Sequence, residues 1–339
     1  MIRYILKRLL WMIPVVLGVA IVIFTIMYFV PGDPARFIMG ADATAAQVAE
    51  KRQEMGLDAP YLVQLGQFLF NTFLHFDLGN SYMLNTPVLS ELMVRLPNTL
   101  TIGLLCMVLQ IAVGIPLGVT AAVHHNGFAD RLCIFLALFG VSMPSFWLGL
   151  LLVLLFSLKL GLLPAYGIGG IQYFIMPVIS NSFAGIASQA RQTRSSMLDV
   201  LNSDYITTAR SKGMAEHDVI YKHALPNALI PVITVIGNGL ANIFGGTVVI
   251  ETVFSIPGVG LYMTNAIGNR DYPVVRGSVV VLAVIFSLIV LLVDLVYAFV
   301  DPRIRAQFES HGGKRGKHRR DHTLFHGHHA HHHRKGGQE

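Results

Sequence analysis

Apolar runs long enough to cross a lipid bilayer constrain this chain more than any other feature. A crossing helix needs about 20 mostly apolar residues, and candidate runs lie at 9–30, 99–123, 132–158, 173–189, 228–250 and 279–300. In hydrocarbon a backbone must satisfy its own N–H and C=O groups, so runs of this length are read as helices. The rest of the 339 residues agree: 53% are hydrophobic and only 13% charged, with a mean hydropathy of +0.58. A soluble domain of this size is more polar. The expected class is therefore an all-α membrane protein with six transmembrane helices.

The first run follows Arg3, Lys7 and Arg8 like a signal peptide. It is too long for one, and no small-residue cleavage pattern follows it, so it reads as a permanent anchor. The fourth run is short and carries Asn181, Ser182 and Ser188. Polar residues at mid-membrane mark either a pathway-lining helix or a bundle-facing one whose polar groups are simply satisfied. Between the first two runs, Gln64, Gln67, Asn71 and His75 recur at helical spacing among Phe and Leu residues. That pattern predicts an amphipathic helix over 61–78, lying at the membrane interface or against the bundle. Arg95-Leu96-Pro97 is expected to open the second crossing, with the proline near its first turn.

The net charge of +6 is local. Residues 303–339 hold 9 Lys+Arg and 3 Asp+Glu, a difference of +6, and the remainder holds 16 of each sign. Basic residues concentrate in three places: before the first run, between the fourth and fifth (Arg191, Arg194, Arg210, Lys212, Lys222), and in the tail. Because Lys and Arg stay on the cytoplasmic side, six crossings with both termini in the cytoplasm are expected, with 31–98 external. Cys106 and Cys133, the two cysteines, sit in or beside apolar runs and form no disulfide framework.

Residues 204–227 are a polar segment between apolar ones. Asn202 or Ser203 can cap a short helix, with Asp204 at its positive end and Arg210 and Lys212 at its negative end. Gly213 is placed to stop that helix in the left-handed conformation. A second short helix is expected from about residue 215 to 224, before Pro226.

This helix–Gly–helix unit resembles the cytoplasmic coupling loop of bacterial ABC importer permeases. The family pattern is Glu-Ala-Ala, three residues, Gly, nine residues, then Ile-x-Leu-Pro. Ala209, Gly213, Leu225 and Pro226 fall at matching spacing, while Thr207, Thr208 and His223 stand where the family has Glu, the first Ala and Ile. Further stretches are similar to the first of the two permeases in dipeptide, oligopeptide and nickel importers. They include Pro31-Gly32-Asp33-Pro34, Arg95-Leu96-Pro97-Asn98-Thr99, Ser142-Met143-Pro144-Ser145-Phe146-Trp147 and Glu251-Thr252-Val253-Phe254-Ser255-Ile256-Pro257-Gly258.

The resemblance implies a type I ABC importer permease fold. It divides the chain into a first helix plus external segment (1–94) and a permease core with the coupling loop (95–305); residues 306–339 lie outside the resemblance and are expected to form a disordered basic, His-rich cytoplasmic tail. It implies a multi-pass bacterial inner-membrane subunit that forms the pathway for di- or oligopeptides and is not itself an enzyme. The implied partners are a second permease subunit, two ATP-binding subunits, an extracytoplasmic solute-binding protein and the lipid bilayer; no nucleic acid and no cofactor are implied. The same machine could carry nickel chelates, glutathione or another small solute. A self-contained secondary transporter is the competing class; it predicts internal repeats with broken helices, and no such repeat is found. No Gly-x-x-x-x-Gly-Lys-Ser/Thr loop is present, and Gly316-Lys317 lacks the rest of it, so ATP must bind elsewhere.

Site expectations follow. Ala209, Gly213, Val219, Ile220, Leu225 and Pro226 form the ATPase-coupling loop, with Val219, Ile220 and Leu225 as an apolar face that enters a groove on the ATP-binding subunit. Glu251, Asn181 and Ser182 are pathway or gate candidates; Glu251 can equally be an interfacial carboxylate that holds the Pro257-Gly258 turn. Asp294 is an intramembrane acid suited to packing between subunits. His124 and His125 read as a solvated pair, and Asp199, Asp204 and Glu216 as charge tuning around the loop. In the tail, His326, His328, His329, His331, His332 and His333 can ligate Zn²⁺, Ni²⁺ or Cu²⁺, or belong to a basic tail lying on anionic lipid.

Overall fold

The computed structural model describes residues 2–40 and 42–300. The tail expected at 306–339, with its candidate ligands His326, His328, His329, His331, His332 and His333, lies outside the described residues, as does the side chain of Asp294. Among the described residues the regular structure is helical, apart from one isolated bridge between Asn80 and Pro87.

The long rods are α1 (Ile2–Phe29), α5 (Val88–Val123), α8 (Gln172–Leu201), α11 (Leu225–Val253) and α13 (Tyr272–Val300). Shorter helices are α2 (Pro34–Met39), α3 (Ala45–Glu54), α4 (Tyr61–Leu74), α6 (Phe128–Ser142), α7 (Ser145–Leu152), α9 (Asp204–Ser211), α10 (Glu216–Asp218) and α12 (Val259–Gly268). Among the described residues four stretches are long and apolar enough to cross a membrane: Ile5–Phe29, Val88–Val123, Glu216–Val253 and Tyr272–Val293. They coincide with the expected first, second, fifth and sixth crossings. The expected fourth lies in α8, whose 30 residues span about 45 Å at 1.5 Å per residue. Its hydropathy is lower because its buried face is polar: Ser180, Asn181, Ser182, Gln189, Thr193 and Ser196 are all buried. It packs against α5, α6, α7 and α11.

The third expected crossing, 132–158, is not one straight helix. Phe128–Gly140 and Ser145–Lys159 are bent by 104°. The residue before a proline is driven out of the α region, and Met143 is extended, with φ −96° and ψ 119°. Pro144 then precedes the restart at Ser145. Pro97 does the opposite of what was expected: α5 begins nine residues earlier, at Val88, so Pro97 lies inside it together with Pro116. The 94/95 boundary therefore falls within a helix. Thr101 and Thr120 donate to the carbonyls of Pro97 and Pro116; hydroxyls and neighbouring helices let membrane helices tolerate proline.

The amphipathic helix expected at 61–78 is α4, Tyr61–Leu74. Its aromatic side meets α1: Phe24 stacks on Phe68 with ring centroids 5.4 Å apart, and the Thr25 and Tyr61 hydroxyls are 2.7 Å apart. Its polar stripe folds the preceding turn, since Gln64 donates to the carbonyls of Leu57 and Ala59. In the same segment Arg52 donates to Asp33 and Asp58 at 3.0 Å each, and those carboxylates hold its pKa above the ordinary arginine value.

Candidate functional site

The polar clusters within the apolar bundle include the turn at Gly213, the turn at Glu251, and a cavity between α5, α8 and α11.

At the first, α9 ends as its sequence predicts. Gly213 adopts φ +76°; its N–H donates to Arg210 O at 2.9 Å and that of Met214 to Ala209 O at 3.4 Å. These are the two hydrogen bonds of a Schellman cap, in which a residue without Cβ takes the left-handed position. Ser203 precedes the helix, but its hydroxyl donates back to Val200 O at 2.6 Å instead of capping α9. Arg210 forks across the turn to both carboxylate oxygens of Glu216, at 2.6 and 3.1 Å, which holds its pKa above the ordinary value. Both side chains are largely exposed, so the bridge orders the turn more than it stabilises the fold.

The second helix differs from expectation in two respects. It does not stop before Pro226: α10 passes through π-helical turns over Val219–Ala224 straight into α11. A proline has no N–H and clashes with the carbonyl four residues back, and the wider π-turn just before Pro226 is the usual form of such an insertion. Nor do Val219 and Ile220 face outward. They are 0% and 7% exposed and pack with Ile206 and Met197, with Val119 and Ala122 of α5, and with Ala224 and Ala228; Ala209 and Leu225 pack partly against the same cluster. The continuous helix turns these residues onto α8 and α9, leaving Tyr205, Met214, His217 and Tyr221 on the exposed side. Pro226 is exposed.

Glu251 is fully buried. One carboxylate oxygen accepts from the Thr99 hydroxyl at 2.6 Å and the other from the Leu261 N–H at 3.0 Å. Thr99 Oγ1 in turn accepts from the Val259 N–H at 2.9 Å. A Cβ on Gly258 would sit 2.3 Å from the Glu251 carboxyl carbon, so the Pro257-Gly258 turn closes on the carboxylate only because glycine is there. Glu251 thus ties α5, α11 and α12 together and does not line the cavity.

The cavity has a volume of about 510 Å³. Asn181 lines it and donates to Ile243 O at 3.2 Å. Ser182, the next residue on α8, is turned away and buried, with its hydroxyl 3.4 Å from Cys106 O. Of the three pathway candidates, then, only Asn181 reaches open space. Sequence reading missed Gln110, Gln189, Asn238 and Asn242, which also line it. The available signal was a carboxamide inside an apolar run.

A charged contact close to these elements was also missed. Asp130, buried at the start of α6, accepts a forked pair of hydrogen bonds from Arg194 of α8, one of them at 2.9 Å, and the Asn126 N–H at 2.8 Å. His124 and His125 beside it are exposed.

Helices bundled around a polar cavity, with a rooted helix–turn–helix at one end, define a membrane transport subunit. Residues 114–306 match the family described as binding-protein-dependent transport system inner membrane component, and residues 1–103 match the N-terminal part described for such membrane components. The chain belongs to this family: it is a multi-pass permease component of an ABC importer. It is 41% identical over 333 residues to the dipeptide transport system permease protein DppB of Alkalihalophilus pseudofirmus, covering 90% of this chain and all of that one. It is 42% identical over 305 residues to the glutathione transport system permease protein GsiC of Salmonella paratyphi A, covering 90% and 99%. Its fold is like that of an inward-facing structure of the methionine ABC transporter MetNI, with a TM-score of 0.54 and 18% identity, covering 63% of this chain and 97% of that one.

Proposed function

We propose that this chain forms half of the translocation pathway of an ATP-driven importer of short peptides. The turn at Gly213 is the place where separate ATP-binding subunits act on it. The observation that carries this reading is the rooting of that turn. Ile206, Val219 and Ile220 share one apolar cluster with Met197 of α8 and Val119 and Ala122 of α5. A load on the exposed face passes into the long helices as a rigid displacement, because packed interiors transmit strain instead of absorbing it. The docking surface in this reading is the exposed one, Tyr205, Met214 and Tyr221, at 45%, 37% and 49% exposure; the buried residues are its foundation. The complete machine has a second permease subunit, two ATP-binding subunits and an external solute-binding protein, with Gly213 and both termini of this chain in the cytoplasm. The permeases named for dipeptide and glutathione transport support an amide-bearing solute, and glutathione is the second reading.

Two measurements test this. In the complete complex, Gly213→Val places a β-branched residue at φ +76°, which costs about 1–2 kcal/mol locally. The spans should stay inserted while co-purification of the ATP-binding subunits, or solute-stimulated ATP hydrolysis, falls. Normal values of both would refute the docking role. Single cysteines at Asp58 and Ala215, in a background without Cys106 and Cys133, should be labelled from opposite sides of the membrane.

A further inference from the structure

The lining of the cavity between α5, α8 and α11 is chemically one-sided. Five carboxamides reach it: Gln110, Asn181, Gln189, Asn238 and Asn242. Arg191 is the one charged residue among those lining it, with no carboxylate, imidazole or thiol beside it. Bare backbone makes room for two of the amides: a Cβ on Gly185 would lie 2.2 Å from Gln110, and one on Gly246 2.3 Å from Asn181. Among the described residues Gln189 is buried with no hydrogen bond to its Oε1, whereas Arg191 is exposed and makes no ion pair.

A carboxamide carries a donor and an acceptor in one plane, which is what a peptide group needs opposite it. Carboxamides that face the open space can exchange hydrogen bonds with a solute's own amides. A guanidinium takes a carboxylate through two parallel charge-assisted hydrogen bonds. A cationic solute or bare divalent metal ion, by contrast, would leave water for a lining with no counter-charge and one repelling cation. We propose that this cavity is a transit site for amide-bearing solutes of neutral or negative net charge, with Arg191 receiving the solute's carboxylate and disfavouring cations. This inference rests on the permease reading and names the solute class that the pathway favours.

The test uses the complete importer in vesicles, with one binding protein throughout, so that the binding protein's own preference cancels between variants. Initial uptake is measured for radiolabelled Ala-Glu and Ala-Lys, and for Ni²⁺ as the bare ion. Arg191→Gln should lower Ala-Glu uptake relative to Ala-Lys by at least about tenfold, through loss of the charge-assisted pair. Arg191→Lys should restore most of it, and Arg191→Glu should reverse the preference. Gly239 also lines the cavity, and a Cβ there meets nothing within 4 Å. Gly239→Asp adds a carboxylate whose Cβ meets no neighbour, and should shift uptake toward Ala-Lys even if the Arg191 variants fail to assemble. Unchanged ratios in a transporting complex, or import of bare Ni²⁺ by the wild type, would overturn the inference and leave the permease reading intact. No ATP-dependent peptide uptake by the wild type would overturn both.

Discussion

The turn at Glu251 and the cavity at Asn181 are both polar clusters set among apolar helices, and both draw on α5 and α11. At Glu251 each carboxylate oxygen has a donor, from Thr99 and Leu261, and Gly258 removes any gap beside it. In the cavity Gln189 Oε1 has no partner, and Gly239 leaves space that a side chain would fill. A buried polar group whose hydrogen bonds are all made fixes a unique arrangement. A buried polar group left unsatisfied in a native structure calls for a reason, and the proposed passage of solute along this lining offers one. Partnering, more than polarity, separates the two sites.

The comparison breaks most easily at Glu251. Replacing it with alanine strands the Thr99 hydroxyl and the Leu261 N–H, at about 1–3 kcal/mol each, so a large drop in the melting temperature of the purified complex is expected. A drop no larger than that of an exposed control would show the turn to be loosely held. Gly258→Ala pushes a methyl toward the same carboxylate and should cost about 1–3 kcal/mol through overpacking. A neutral result in the same thermal assay would mean that α12 moves aside freely.

At the cavity the balance between stability and transport should invert. Asn181→Ala loses the bond to Ile243 O, worth about 1 kcal/mol, so melting should move little while peptide uptake falls several-fold. Equal losses of both would make Asn181 a structural residue like Glu251. The smallest effect has the opposite sign. Gly239→Ala adds a methyl into open space within a helix and should stabilise the complex by about 0.5–1 kcal/mol. Destabilisation there would show that the space is occupied in the assembled importer.

Legibility from sequence followed how local each interaction is. The Gly213 stop could be read because a Schellman cap is built within six residues; the Asp33 cap of α2 ahead of Pro34 is as local but was not singled out. Prolines were harder. Pro144 breaks its helix, whereas Pro97, Pro116 and Pro226 are carried through theirs, and the difference lies in neighbouring hydroxyls, π-turns and packed helices. Val219 and Ile220 have an apolar face that periodicity detects, but its direction depends on the continuation of α10 into α11. Gln110 and Asn238 were passed over as isolated amides in apolar runs; only the crossing of three helices brings them to one cavity.

The sequence alone determined that this chain spans a membrane as a helical bundle, that a capped turn sits at Gly213, and that it resembles importer permeases. Hydrophobic run length, cap chemistry and motif spacing are properties of consecutive residues, readable before any fold exists. Tertiary structure decided which face of the Gly213 unit is rooted and which is free, and that Glu251 is fully partnered while Gln189 is not. It also brought five distant carboxamides and one arginine together around a common space. Those outcomes depend on contacts between residues up to 160 positions apart, such as Thr99 with Val259, and helix packing alone settles them.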